Sequence, residues 1–207
     1  MPRKQTPLQK ILIAVPTFEN ISPDTFQSIY NMDVPKNVET TFKFVRGYDC
    51  ARARNSIADI GIEGKYDYIF MVDSDVILPK NALICLLEKQ DNVVLGVYPR
   101  KNEPSKSEIF DVNQSNYNAS SRWKIPDLKK YPGNRIEIRG GGLGCALIKT
   151  SIFEEVGYPY FKYVVNDNRT FLSEDLFFCS KVREKNYKIY VDTRVLCGHV
   201  GRKIVRC

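Results

Sequence analysis

The chain has 207 residues, with 31 Lys plus Arg against 24 Asp plus Glu, for a formal net charge of +7. Its 43% hydrophobic and 27% charged residues are ordinary for a globular domain and exclude wholesale disorder. The length suits one domain with a full core, and no apolar run approaches the roughly 18 residues of a membrane span or resembles a signal peptide, so a soluble cytoplasmic protein is expected.

The elements follow in chain order. Residues 11–15 are a continuous apolar run closed by Pro16, which predicts a buried strand. Ser22 and Pro23 are a cap and a first-turn proline for a short helix to about residue 31. Residues 40–45 alternate as a second strand, and Asp49 caps a helix that Gly61 or Gly64 ends. Residues 68–72 are a third strand apolar on both faces. Pro79 opens a helix carrying Leu83, Leu86 and Leu87, and residues 93–97 are a fourth strand. Strand, helix, strand, helix, strand is the pattern of a parallel α/β sheet. Residues 101–134 are polar, with Pro104, Pro126 and Pro132, and predict a long irregular excursion with at most a small ribbon. After it come a strand from Cys145, a short helix capped by Ser151, a longer helix over 174–185 and a last strand at 189–191. The six cysteines are scattered without a C-x-x-C pair, which argues against a zinc knuckle or a redox motif.

The sharpest chemical feature is Val72-Asp73-Ser74-Asp75-Val76. Two carboxylates two residues apart project to one side of an extended chain, directly after a buried strand. Held together they repel, unless a cation lies between them, and oxygen ligands suit Mg²⁺ or Mn²⁺. The carboxyl end of a strand is also where open α/β sheets bind ligands. The plainer alternative is a loop whose aspartates cap the next turn.

Four stretches in order resemble the family 2 glycosyltransferases. They are Ala14-Val15-Pro16-Thr17-Phe18-Glu19, then Phe70-Met71-Val72-Asp73-Ser74-Asp75, then the run 140–149 that begins Gly140-Gly141-Gly142 with Phe153 to Gly157 after it, and then Ser173-Glu174-Asp175-Leu176. The sole histidine, His199, stands downstream where the family carries one. The resemblance covers most of the chain except about residues 101–135. It implies an α/β fold: a single GT-A (Rossmann-like) domain over 1–207 with a mixed, mostly parallel central sheet flanked by helices. Residues 1–100 would be the nucleotide-sugar half, 101–135 a variable excursion and 136–207 the acceptor and catalytic half.

The activity implied is metal-dependent, inverting transfer of a sugar from a nucleotide-diphosphate sugar, a UDP-sugar first, to an acceptor hydroxyl. Asp73, Asp75 and His199 would hold Mn²⁺ or Mg²⁺, with Asp73 and Ser74 also touching the donor. Asp175 would be the base and Glu174 its neighbour at the acceptor, although Ser173-Glu174-Asp175 is also a good helix start. Pro16, Thr17 and Glu19 would line the nucleotide pocket, and Arg52, Arg54 and Asn55 its rim. Gly141 and Gly142 would approach the donor sugar, and Arg202 and Lys203 the diphosphate. The family's acidic cluster after the second strand is absent. Val45-Arg46-Gly47-Tyr48-Asp49 stands there, with Asp49 as its substitute.

The acceptor stays open among a glycan, a protein, a lipid and a modified DNA base. A second class of reading is a nucleic-acid-binding domain. It would use the +7 charge and the excursion with Tyr117, Trp123 and Tyr131 as a stacking platform, and the two readings merge in a transferase acting on a modified DNA base, with Lys124, Lys129, Lys130, Arg135 and Arg139 clustered where the acceptor would dock.

Overall fold

The computed structural model describes residues 8–47, 49–114, 117–165, 171–201 and 205–206. The first half runs β1 (Gln9–Thr17), α1 (Pro23–Tyr30), β2 (Val38–Arg46), α2 (Cys50–Glu63), β3 (Tyr68–Val72), β4 (Val76–Ile77), α3 (Ala82–Leu87) and β5 (Val93–Val97). There follow β6 (Lys106–Asp111), β7 (Arg122–Lys124), α4 (Ile125–Leu128), β8 (Arg135–Gly141), β9 (Cys145–Lys149) and α5 (Ser151–Val156). The last elements are β10 (Val164–Val165), β11 (Phe171–Leu172), α6 (Glu174–Glu184), β12 (Ile189–Leu196), β13 (Gly198–His199) and β14 (Val205–Arg206).

The described residues form a nine-stranded sheet in the order β2-β1-β3-β9-β5-β12-β8-β6-β7. β1 pairs in parallel with β2 and β3, and β5 with β12. β9 runs against β3 and β5, and β8 against β12 and β6, so most strands point one way in a mixed sheet. The period-2 geometry of the strands divides the core. Leu12, Ala14, Ile69 and Met71 face the layer of α2, α5 and α6. Ile11, Ile13, Val15, Phe70 and Val72 face α1 and α3. Both faces are covered, which is why these strands read as unbroken apolar runs.

The local signals explain the helix ends. Asp49 accepts the Arg52 backbone N–H at 2.8 Å and starts α2. A side chain at Gly61 would collide with Ile69, so α2 lies close on β3 there and continues to its cap at Gly64. Two starts move. α3 begins at Ala82, because Pro79 sits in a preceding turn whose carbonyl accepts the Ala82 N–H. α5 begins at Ser151 with Thr150 in the cap position.

The excursion departs most from expectation. β6 and β7 are not a detached ribbon, since they extend the main sheet beyond β8. The alternation of β6, with Ser107, Ile109 and Phe110 buried, is masked in sequence by its polar partners and by the flanking prolines. Gly140 and Gly141, which open the third stretch of the resemblance, end β8 and pair with Phe110 and Ile109. No helix of the described residues is long and apolar enough to cross a membrane.

Asn55 lies within α2 but holds a distant loop. Its Nδ2 donates to the Phe161 carbonyl at 2.8 Å, and its Oδ1 accepts the Tyr160 and Phe161 N–H groups at 3.0 and 3.1 Å. With its amide so engaged, it is a structural residue rather than part of a nucleotide rim. Asn55→Ala orphans three partly buried backbone groups, and chemical denaturation is expected to show a loss of about 2 kcal/mol.

Candidate active site

The site lies at the carboxyl end of β3. Asp73, Ser74 and Asp75 turn there, with the Asp73 carbonyl accepting the Val76 N–H at 3.1 Å and the Ser74 carbonyl accepting the Ser22 N–H at 2.8 Å. Below them Arg54, from the first turns of α2, is 1% exposed. Its Nη2 donates to Asp73 Oδ1 at 2.7 Å, and its Nη1 is paired with Asp175 Oδ1. Burial alone would lower the pKa of this guanidinium, but Asp175 and Asp73 hold it charged. Arg54 is therefore not at an open rim. It joins the turn after β3 to the start of α6.

Asp175 also accepts the Leu143 N–H on Oδ2 at 3.2 Å. Burial, aided by the Glu174 and Asp73 charges and opposed by Arg54, pushes its carboxyl up to about 7. That value suits a group that takes a proton near neutral pH. Glu174 is buried at the start of α6, and its charge adds to burial in raising the pKa of Tyr163.

Asp75 has separate company. β13 pairs antiparallel with β4 and sets His199 opposite Val76, while the Asp75 carbonyl accepts the Val200 N–H at 2.8 Å. His199 Nδ1 lies 2.8 Å from the Pro99 carbonyl, which can only accept, so Nδ1 carries the proton. Nε2 then faces Asp75 Oδ1 at 3.4 Å, and Lys101 is paired with Asp75 Oδ2. Burial raises the Asp75 carboxyl, but hydrogen bonds and charge from His199 and Lys101 outweigh it and hold it below the usual range.

This is the part of the expected metal set that comes together. Asp73 is turned to Arg54, and among the described residues no group of three or more His, Cys, Asp and Glu is gathered for a metal. The expected donors that do converge are Asp75 and His199, and both Asp75 oxygens already have partners, Oδ1 at His199 Nε2 and Oδ2 at Lys101. A carboxylate and an imidazole, once Nε2 has given up its proton, would suit a divalent cation such as Mn²⁺.

Two cavities flank the carboxylates. One, of about 220 Å³, is lined by Pro16, Thr17, Gly47, Asp49 and Ser74, with the 67% exposed Phe18 at its edge. It gathers four residues expected at the nucleotide. The other, of about 350 Å³, is lined by Tyr98, Glu108, Tyr117, Gly142, Phe171 and Asp175. A side chain at Gly142 would collide with the Tyr98 hydroxyl, and one at Gly144 would come 2.7 Å from Asp73 Oδ2, so this turn must be bare.

The remaining expected residues are elsewhere. Gly141 is packed in β8 against β6. Glu19 and Arg52 are exposed near the first cavity without being among its named walls, and Arg202 and Lys203 lie outside the described residues. The basic cluster is broken up: Arg135 is 4% exposed and paired with Asp91 and Asp192, and Arg139 bonds the Gln114 carbonyl and lies over the Tyr117 ring. The expectation overlooked Tyr98, whose ring meets His199 edge-on at 5.4 Å and whose hydroxyl accepts the Gly144 N–H at 3.3 Å. It also overlooked Lys101. Both follow β5 in Tyr98-Pro99-Arg100-Lys101, and only their position at a strand's carboxyl end could have flagged them.

No family model and no curated protein matches the sequence. Solved structures do match in shape. A197 from STIV superposes with a TM-score of 0.65 at 18% identity, over 96% of this chain and 94% of that one. GalNAc-T7, solved with UDP, GalNAc and Mn²⁺, superposes with a TM-score of 0.61 at 13% identity. That match covers 96% of this chain and 45% of the GalNAc-T7 chain, so the chain spans under half of that protein. The fold is GT-A-like: a mixed α/β layer structure with a large, mostly parallel sheet flanked by helices.

Removing Arg54 would leave two carboxylates facing each other in a largely buried place. Arg54→Ala is expected to destabilise the protein by about 3 kcal/mol in denaturant titrations. An unchanged midpoint would mean that the guanidinium does not hold these carboxylates.

Proposed function

We propose that the chain is a metal-dependent, inverting glycosyltransferase that moves a sugar from a UDP-sugar to an acceptor hydroxyl. The observation that carries this reading is the placing of Asp175. A carboxyl tuned to about 7 lines one cavity, and Arg54 ties it to the aspartate turn that borders the other. A base on one side and a cleft for the donor on the other is what a single displacement at a sugar carbon requires.

In this reading Pro16, Thr17, Asp49 and Ser74 receive the nucleoside, with Phe18 available to stack on the base. Residues 1–100 then supply the donor half and 136–207 the base. Asp75 and His199, with Asp73 behind them, would hold a Mn²⁺ or Mg²⁺ that supplies positive charge at the leaving diphosphate. The acceptor lies against Tyr98 and Gly142. Its hydroxyl oxygen forms the new bond to the anomeric carbon as the bond from that carbon to the diphosphate oxygen breaks, and the hydroxyl proton passes to Asp175. Attack opposite the leaving group inverts the anomeric centre. Arg54 holds the Asp175 carboxylate in place and balances its charge. The likeness in fold to GalNAc-T7, solved with UDP and Mn²⁺, supports the choice of donor and metal.

Because the base must be unprotonated, transfer is expected to rise with pH through about 7. Asp175→Asn should abolish transfer while thermal shifts induced by UDP-sugar and Mn²⁺ persist. Unaltered transfer in that variant would remove Asp175 as the base. UDP-sugar hydrolysis measured with Mn²⁺ and with chelator checks the donor side. It should vanish in Asp75→Ala and fall in His199→Ala, and hydrolysis that survives both Asp75→Ala and chelation would overturn the metal assignment.

A further inference from the structure

A further cavity lies outside the carboxylate site. It measures about 400 Å³ and sits at the sheet edge, with Asp111, Gln114, Ser120, Trp123, Lys130 and Tyr131 in its walls. That is within the range of small-molecule sites, about 300–1,000 Å³. Arg122 is shared: it lines this cavity and also the one containing Asp175. The two hollows therefore flank a single strand, β7, which the excursion adds to the sheet.

The chemistry of the walls narrows the ligand. Trp123 and Tyr131 meet edge-to-face at 6.1 Å, and Tyr131 is 45% exposed. The Trp123 Nε1–H is buried without an acceptor among the described residues, so the ring rather than this N–H is what Trp123 offers the cavity. Carboxylate, amide and hydroxyl side chains stand beside the rings. Of the three cations in the walls, Lys130 pairs with Asp127 at 2.8 Å and Arg122 with Glu108 at 3.2 Å while lying over the Phe110 ring, and Lys124 is the third, in walls that also hold the Asp111 carboxylate. A polyphosphate needs uncompensated positive charge. Rings flanked by planar hydrogen-bonding groups with little net charge suit a neutral polyhydroxylated chain, whose C–H faces stack and whose hydroxyls bond sideways.

We infer that this cavity binds a neutral oligosaccharide, as a remote subsite for an acceptor glycan that runs past Arg122 to Asp175. The acceptor role rests on the glycosyltransferase reading, whereas saccharide binding at Trp123 does not. Trp123 is the sole tryptophan, so its fluorescence reports this cavity directly.

The test is a fluorescence titration of the full chain, without donor or metal. The probes are neutral glucose-, galactose- and N-acetylhexosamine-based oligosaccharides of one to four units, beside single-stranded oligonucleotides at the same salt. A saturable change in emission is expected with saccharide, about tenfold tighter for three units than for one, as an extra stacked ring would give. Tyr131→Ala, with its melting checked against the parent, should weaken that binding while Trp123 still reports. No response to any saccharide, a response to oligonucleotide alone, or affinity independent of length overturns the proposal. Failure of the transferase reading looks different: it is absent UDP-sugar hydrolysis with the saccharide response intact.

Discussion

A guanidinium withdrawn from water holds the site together. The Arg54 side chain is 2% exposed and is paired with Asp73 at 2.7 Å and with Asp175. Taking such a charge out of water costs several kcal/mol, and only close, well-directed carboxylates recover it. The fold must therefore bring the turn after β3 and the first turn of α6 to the same point on α2. The backbone at Leu143 joins the cluster through Asp175. Three elements far apart in the chain are fixed relative to one another by one side chain. The raised Asp175 carboxyl is a consequence, because burial and neighbouring carboxylates act on it against a single cation.

A second constraint sets the other half of the site. His199 reaches Asp75 because β13 pairs with β4, and the backbone bond from Val200 to Asp75 locks that register. The Pro99 carbonyl then fixes the imidazole tautomer and aims Nε2 at the carboxylate. The same stretch after β5 supplies Tyr98 against Gly144 and Lys101 against Asp75. Each half of the site therefore uses backbone contacts to orient a side chain, which is how a fold preorganises charge.

The added strands β6 and β7 serve a different end. By pairing beyond β8 they carry Glu108, Phe110 and Arg122 to the cavity at Asp175. They also leave an edge where Trp123 and Tyr131 form the wall of another. Loops commonly carry binding chemistry, but here part of the excursion's chemistry stands on the sheet itself.

Much of the fold was readable from local pattern. Unbroken apolar runs at β1, β3, β5 and β9 mark strands buried on both faces, and Asp49 with Gly64 brackets α2. The Asp73-Ser74-Asp75 turn and the Asp175 helix start were readable too, because charged residues at element ends stand out against apolar neighbours. β6 was hidden, since a strand of mixed polarity is stabilised by a partner that the sequence does not display. Arg54, Asn55 and Arg135 misled for a related reason. A charged or amide side chain on a helix or strand looks solvent-facing until distant groups are known to satisfy it. The chain's own letters established where strands and helices form and which carboxylates end them. Which of those carboxylates share a cation, which histidine nitrogen meets Asp75, and which basic residues are already engaged depended on long-range packing, because burial and pairing arise between segments that are remote in sequence.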